Sequence, residues 1–361
     1  MQITEVKVGE LIDFIESEQY KQFSPKPITG LRAISQYHNP DARVDDTALI
    51  IAHENTHVLG FVGLLSRNTN DSNRHVFSNT CWWVKPEEGK SIGLPLFLMA
   101  LKKCDSQMYL ADCTSHTKLI LEKTGYFRFP EPQQGIRGFL RFYIADLFAK
   151  KYKNLQSVKS ILTWVDAVFN FCWSPVRFYL LKKYQKNQLD FKLIEDIDEE
   201  TERFIKAHSQ HEFIGKSSAF FEWVRKYPWI KESAAEEPYE YPFTHLVTRY
   251  SLEYFVLMKG GELKAFVTFS VRDNLVKIPF VYFDEENLPE VMQFICWHVL
   301  KKKYDSMVVF HPVIVQFMEA NKMPFIYRKN EQKITGASEP LNLVFSEKPF
   351  LQDGDGDFVF S

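Results

Sequence analysis

No two cysteines in this chain form a Cys-x-x-Cys pair, and the five present (Cys81, Cys104, Cys113, Cys172 and Cys296) are odd in number and scattered. That pattern excludes a disulfide framework and a cysteine-built structural zinc, and it suits a reducing compartment. No stretch approaches the roughly 18 uninterrupted apolar residues that a membrane-crossing helix requires. Met1 leads into Gln2, Ile3, Thr4, Glu5 and Val6, without the basic start and apolar run of a secretory signal. The expectation is a cytoplasmic protein. A nucleotide P-loop is also missing: Gly89-Lys90-Ser91 resembles the end of one, but its first glycine would fall at Val84.

What is present is enough for two cores: 361 residues, 45% hydrophobic and 25% charged, with 32 phenylalanines. Leu11 to Phe23 reads as a short amphipathic helix closed by Ser24-Pro25-Lys26-Pro27. Thr47 to Ala52 and Val58 to Ser66 are apolar, β-rich runs on either side of His53-Glu54-Asn55-Thr56-His57. His-Glu-x-x-His is the zinc signature of metalloproteases, in which two histidines one helical turn apart hold the metal. It needs a helix, and Asn55, Thr56, Gly60 and Gly63 are poor material for one. The favoured expectation is a hairpin turning at Glu54 to Thr56, with no metal, and the zinc hydrolase is the weaker alternative. Tyr254 to Ser270, two β-rich runs about Gly260-Gly261, is a second hairpin.

Asn79 to Cys104 reads strand, loop, helix. The run to Val84 is aromatic and β-branched, Gly89 and Gly93 lie in the loop, and an apolar helix should begin near Pro95. Backbone amides between Gly89 and Phe97 would face the loop, with Lys90 adding positive charge, which makes a phosphate-sized anion site. Parts of this pattern recur about 200 residues later: Phe61-Val62 matches Phe266-Val267, and the strand ending at Val84 matches Ile278 to Phe283. The following helix matches Val291 to Lys303, Met108 to Ala111 matches Met307 to Phe310, and Leu119 to Tyr126 matches Phe317 to Phe325. Two copies of one α/β unit are expected.

The Val84-Lys85-Pro86 strand end with its glycine turn and helix, and Leu121-Glu122-Lys123-Thr124-Gly125-Tyr126, resemble the two signatures of the GCN5-related N-acetyltransferases. The resemblance implies two tandem acyl-CoA N-acyltransferase-like domains, each a mixed, mainly antiparallel sheet flanked by helices, within an α/β (α+β) class. It implies acetyl-CoA or another acyl-CoA as substrate. The strand end at Trp83 and Val84 would hold the pantetheine arm, and Gly89, Lys90, Ser91, Ile92 and Gly93 the pyrophosphate. In much of the family a tyrosine of the second signature protonates the leaving thiolate; Leu121 stands in that place here, and Ser91 stands where a middle glycine is usual.

Asp112, Ser115 and His116, just past a strand end, are the catalytic candidates, against a reading in which Thr114 or Ser115 merely caps a helix. In the second copy, Asp284, Glu285 and Glu286 would repel a pyrophosphate, so no coenzyme A site is expected there. Glu222, Trp223 and Arg225 resemble a segment of tandem acyltransferases from cell-envelope and polysaccharide pathways, which suggests a substrate-lining role. The function expected is acyl transfer to an amine or hydroxyl of a sugar, peptide or small metabolite. The alternative is a catalytically degenerate pair of these folds that binds a ligand or partner.

The expected division is 1–134 for the first domain, 135–190 for a basic aromatic helical bridge, 191–345 for the second domain and 346–361 for a polar tail. Gly135 to Lys186 carries ten Lys or Arg against Asp146 and Asp166, a net of +8. Apolar residues there, such as Ile161, Leu162, Val165, Val168 and Phe169, recur at helical spacing. They suit a bridge between the copies or, alternatively, peripheral contact with an anionic membrane through 135–186. No reader motif accompanies the basic stretch, so no nucleic-acid partner is expected. In the tail, the run from Asp353 to Asp357 imitates the opening of a calcium loop, but no glutamate follows at the twelfth position.

Overall fold

The computed structural model describes residues 1–70, 74–145, 159–186, 189–233, 241–243, 245–347 and 350–360. In chain order the elements are β1 (Gln2–Lys7), α1 (Leu11–Glu16), α2 (Glu18–Gln22), α3 (Gly30–Tyr37), β2 (Thr47–Glu54), β3 (His57–Asn68), β4 (His75–Val84), α4 (Gly93–Lys103), β5 (Met108–Leu110), α5 (Ser115–Thr124) and β6 (Phe127–Arg128). Then come β7 (Gln133–Phe139), α6 (Lys159–Gln185), β8 (Asp190–Ile194), α7 (Glu199–His208), α8 (Ser218–Lys226), β9 (Lys231–Glu232) and β10 (Leu246–Val247). The last are β11 (Tyr250–Lys259), β12 (Glu262–Arg272), β13 (Leu275–Lys277), β14 (Val281–Phe283), α9 (Leu288–Lys302), β15 (Ser306–Val309), α10 (Pro312–Ala320), β16 (Tyr327–Lys333), β17 (Gly336–Ser338) and α11 (Glu339–Glu347).

The chain forms two compact units: unit 1 is Met1–Gln133, Glu195–Leu252 and Lys333–Ser361, and unit 2 is Gln134–Ile194 and Glu253–Gln332. The sheet of unit 1 runs β1-β2-β3-β4-β5-β17-β6, antiparallel except for the parallel pair β4-β5. Strand β2 shows why helices cover both faces. Its residues Ala48 to Ala52 are all buried, and with successive side chains on opposite faces, Leu49 and Ile51 join Leu11, Phe14, Phe23 and Phe61. Ile50 and Ala52 join Leu96, Phe97, Ala100 and Leu121 on the other side. Local chemistry sets the helix ends. Ser17 splits the expected Leu11–Phe23 helix in two by accepting the Tyr20 N–H, Thr29 caps α3, and Gly125 ends α5 at φ 74°.

The hairpin expectation is borne out. Glu54 pairs with His57, and Asn55, at φ 53°, makes the turn between β2 and β3. The histidines of the zinc-like motif therefore lie on two strands. His53 is buried and bonded to Thr4 Oγ1 and the Asn55 carbonyl at 2.9 Å each, whereas His57 is exposed beside Glu88.

Unit 2 has the sheet β16-β7-β15-β13-β12-β11-β8, with β14 also paired to β12. Strands β13 and β15 pair in parallel. Helix α9 is buried on every side from Val291 to Leu300 apart from Gln293, in a core that includes Phe255, Phe269 and Met307. Gly260 and Gly261, at φ 60° and 86°, turn the β11-β12 hairpin as expected.

Each half of the chain supplies the other unit's closing strand. β7 follows the elements of unit 1 but pairs with β15, and β17 follows those of unit 2 but pairs with β5 and β6. This corrects the expected division. Residues 195–252 and 333–361 belong to unit 1, and the stretch expected as a bridge is part of unit 2, where α6 packs on α9; its 146–158 portion lies outside the described residues. The segment expected as a polar tail is packed into the protein: Leu351 to Gly356, Val359 and Phe360 are buried.

Candidate functional site

The parallel strands β4 and β5 pair only at Phe77–Met108 and Ser78–Tyr109. Beyond that point β4 continues to Val84 along β3 alone, so its other edge carries no strand among the described residues. Opposite Gly63 and Leu64 the register slips and Thr80 is the extra residue, a bulge that bends β4 at the opening. Asn79 braces the bend, its side-chain amide donating to the Gly63 and Cys81 carbonyls at 3.2 and 3.0 Å. Trp82 packs on Phe97 with ring centroids 4.7 Å apart, and Trp83 stacks on Phe61 at 5.4 Å.

The loop after Val84 is folded on its own backbone. Lys85 N–H donates to the Leu59 carbonyl, Gly89 N–H to Lys85 and Ile92 N–H to Gly89. A Cβ at Gly89 would lie 2.5 Å from the Leu59 carbonyl oxygen and 2.7 Å from Lys85 N. Glycine is needed there for close packing of the chain on itself. Helix α4 then starts at Gly93, two residues before Pro95, and Trp82 Nε1 donates to the Gly93 carbonyl at 3.1 Å. The amides of Lys90, Ser91, Gly93 and Leu94 donate to no group among the described residues. They are the amides a bound anion would take. The loop's charge is balanced, however: Lys90 pairs with Glu87 at 2.7 Å and Lys85 with Glu88 at 2.8 Å, all near the surface.

Asp112, Ser115 and His116 lie on the β5 arm of the opening and are exposed. Asp112 accepts the Ile334 N–H at 3.2 Å, while Thr114 caps α5, leaving Ser115 and His116 in its first turn. None of the three bonds to β4 or its loop among the described residues. Leu121 is fully buried against the α4 side of the sheet. Burial raises the Cys113 and Cys104 thiols to about 12, so neither is a thiolate nucleophile at neutral pH.

Sequence reasoning missed a polar cluster at the β4 bulge. Arg32 and Gln36, one turn apart on α3, are 5% and 2% exposed. The Arg32 guanidinium donates to Thr80 Oγ1 and, at 2.9 Å, to the Tyr241 hydroxyl, and it sits over the Trp229 ring at 4.4 Å. Burial alone would lower its pKa, but the Asp357 carboxylate and the hydrogen bond to Tyr241 hold it above the ordinary value. Burial raises the Tyr241 phenol and the Cys81 thiol, so both keep their protons. The Arg32 Nε and both amide atoms of Gln36 have no partner among the described residues. The one signal in the sequence was an Arg and a Gln spaced i, i+4 on a short amphipathic helix.

The tail completes this cluster. Asp353, Asp355 and Asp357, the would-be calcium ligands, each meet a cation of the chain: Lys333 at 3.5 Å, Lys216 at 2.8 Å, and Arg32 through its field. Among the described residues no group of three or more potential metal ligands occurs. Glu222, Trp223 and Arg225 lie on α8, within unit 1 rather than the second copy. Trp223 is packed, donating its indole N–H to the Ser35 carbonyl at 2.6 Å beside α3, whereas Glu222 is exposed and Arg225 bonds the Glu195 carbonyl.

In unit 2 the equivalent turn, Asp284 to Asn287, is bound to its own lysines: Lys264 to Asp284 at 3.3 Å and Lys259 to Asn287 at 3.4 Å. The rings of Phe283 and His311 lie 5.5 Å apart at the ends of β14 and β15.

No family model and no curated protein matches the chain. Solved structures similar to it include a GCN5-related N-acetyltransferase from Anabaena variabilis, at 8% identity and TM-score 0.47 over 92% of this chain and 72% of that one. Another, a probable N-acyltransferase of unknown function from Enterococcus faecalis, has 8% identity and TM-score 0.49 over 99% and 73%. The N-myristoyltransferase of Saccharomyces cerevisiae with bound myristoyl-CoA has 9% identity and TM-score 0.49 over 93% and 82%. At these values the likeness carries no residue roles, and the fold rests on its own strand order and register.

Proposed function

We propose that unit 1 is a coenzyme A-dependent acyltransferase that passes an acyl group to an amine or hydroxyl of a sugar, peptide or small metabolite. The observation that carries this reading is the edge of β4, unpaired among the described residues, which leads to the amides of Lys90, Ser91, Gly93 and Leu94 at the start of α4, likewise without acceptors among the described residues. The strand edge near Trp83 and Val84 suits an extended pantetheine arm, whose amides hydrogen-bond as a strand would. The loop amides and the α4 dipole suit the pyrophosphate. The acceptor's lone pair attacks the thioester carbonyl, the acceptor N–H or O–H proton is given up to solvent, the C–S bond breaks, and coenzyme A leaves as the thiol once its sulfur takes a proton.

Leu121, buried in the core, supplies no such proton. Tyr241 is the better candidate, because its oxygen accepts from Arg32 and its own proton remains to donate. Asp112, Ser115 and His116 on the β5 arm are the other candidates. Loss of turnover in Tyr241→Phe with acyl-CoA affinity retained, and little change in His116→Ala, supports Tyr241; the reverse pattern supports the β5 arm.

Two observations favour the second reading, a binding module without chemistry: the buried Leu121 and the internally paired loop lysines. Titration calorimetry separates the readings from failure of both. Acyl-CoA binding with thiol release on addition of an acceptor supports the enzyme, and binding without release across acceptor classes supports the module. No binding at millimolar coenzyme A ends both.

A further inference from the structure

Helix α6 belongs to unit 2 and packs one face on α9, with Leu180, Leu181 and Tyr184 against that unit's core. Its opposite face is apolar and uncovered. Ile161, Trp164, Val168, Phe171, Pro175 and Phe178 follow one another at three- and four-residue steps, the spacing of a single helical stripe. All are exposed, Phe171 at 81% and Trp164 at 68%, with Val176 and Tyr179 exposed beside them. A contiguous apolar strip on this scale is beyond what scattered surface residues account for.

The charges of α6 are sorted as well. Its single carboxylate, Asp166, is buried and spent on the N–H groups of Ile144 and Ala145, at 2.9 and 2.8 Å. The exposed charges left on the helix are cationic: Lys159, Lys182 and Lys183, with Lys182 folded over the Phe178 ring at 4.6 Å. Arg177, half-buried, has an Nε without a partner among the described residues, and its charge is opposed by burial and then by Arg141.

We propose that α6 lies along an anionic lipid surface, with Trp164, Phe171 and Phe178 in the acyl boundary and its Lys and Arg side chains reaching the headgroups. The mean hydropathy of α6 falls short of a membrane-crossing helix, while an apolar stripe flanked by cations is the make-up of a helix that rests in the interface. A second copy of the chain would cover the apolar stripe but would bring together two helices whose exposed charges are all cationic, with no exposed acid on either to offset them.

Flotation of the full chain with vesicles of phosphatidylcholine alone, and with phosphatidylglycerol added, tests the proposal. The expected result is binding to the anionic vesicles that falls at least tenfold between low salt and about 0.5 M salt, where screening shortens to a few ångströms. Phe171→Ser/Phe178→Ser, at exposed positions, should melt like the wild type and lose binding at least tenfold. Lys182→Glu/Lys183→Glu should lose the preference for anionic vesicles. Absence of binding at low salt overturns the proposal. So does a wild-type dimer that becomes a monomer in the Phe171→Ser/Phe178→Ser variant without any change in vesicle binding.

Discussion

The splayed strand pairs of the two units begin from one frame. In unit 1, β4 and β5 part after Ser78 and Tyr109; in unit 2, β13 and β15 pair over Leu275–Ser306 to Lys277–Val308, and β14 then continues along β12 alone. The two openings carry different chemistry. Unit 1 has a loop running into α4 whose amides find no acceptor among the described residues, and a buried arginine cluster on the opposite side of the sheet from that helix. Unit 2 has a turn of carboxylates held by Lys264 and Lys259, with aromatic rings at the strand ends. The same backbone arrangement thus meets a different loop in each unit, and on the proposed reading those loop residues decide which opening takes a ligand. Architecture alone therefore does not carry function.

The largest effect that would break this comparison lies in the tail. Lys216 is fully buried between Glu212 and Asp355, so Lys216→Met leaves two carboxylates facing each other out of water. Unit 1 should lose about 3–5 kcal/mol, read by hydrogen exchange in β2 and β3, with unit 2 unchanged. Equal loss in both units would mean that the tail does not belong to unit 1 in particular.

Unit 2 should instead respond to acid. Burial lowers the His311 pKa to about 4, against an ordinary value near 6.5. The unfolded chain thus takes up a proton at a higher pH than the folded one. The stabilisation from a neutral His311 is present above about pH 6.5 and is lost as pH falls towards 4, by up to about 1.4 kcal/mol per pH unit. Denaturant unfolding from pH 7 to 4.5 should show this slope in the exchange of α9, and His311→Asn should flatten it.

Gly89→Ala forces a Cβ into the Leu59 carbonyl and should cost unit 1 about 1–3 kcal/mol as the loop shifts, together with any affinity for coenzyme A. The smallest effect is expected at Lys90, which is exposed and already paired with Glu87. Lys90→Ala should leave the melting temperature unchanged and weaken coenzyme A binding only a few-fold.

Much of the fold was legible in the sequence because periodicity and turn residues report it locally. The Gly260-Gly261 turn and the breaking of His-Glu-x-x-His by Asn55 both follow from backbone preferences of single residues. The repeat was legible for the same reason, since each half carries hairpin, strand, helix and strand in one order. The exchange of β7 and β17 was not, because which sheet a strand joins is a long-range choice that a seven- or three-residue run does not encode. The tail misled for a related reason. Asp353, Asp355 and Asp357 read as an incomplete calcium loop in a polar tail until Lys333, Lys216 and Arg32, distant in sequence, are found beside them. At the site, the loop was found from its glycines, though Gly89 turns out to serve the chain's own packing. The Arg32, Gln36 and Tyr241 cluster gave almost no signal, being assembled from α3 and a segment more than 200 residues away.

Hydrogen–deuterium exchange with and without coenzyme A tests the central claim most directly, because it reads both openings in one sample. The account predicts protection of residues 79–97 in unit 1, greatest at the amides of Lys90, Ser91, Gly93 and Leu94, with no change at 281–291 in unit 2. Protection at 281–291, or no protection anywhere at millimolar coenzyme A, would contradict it.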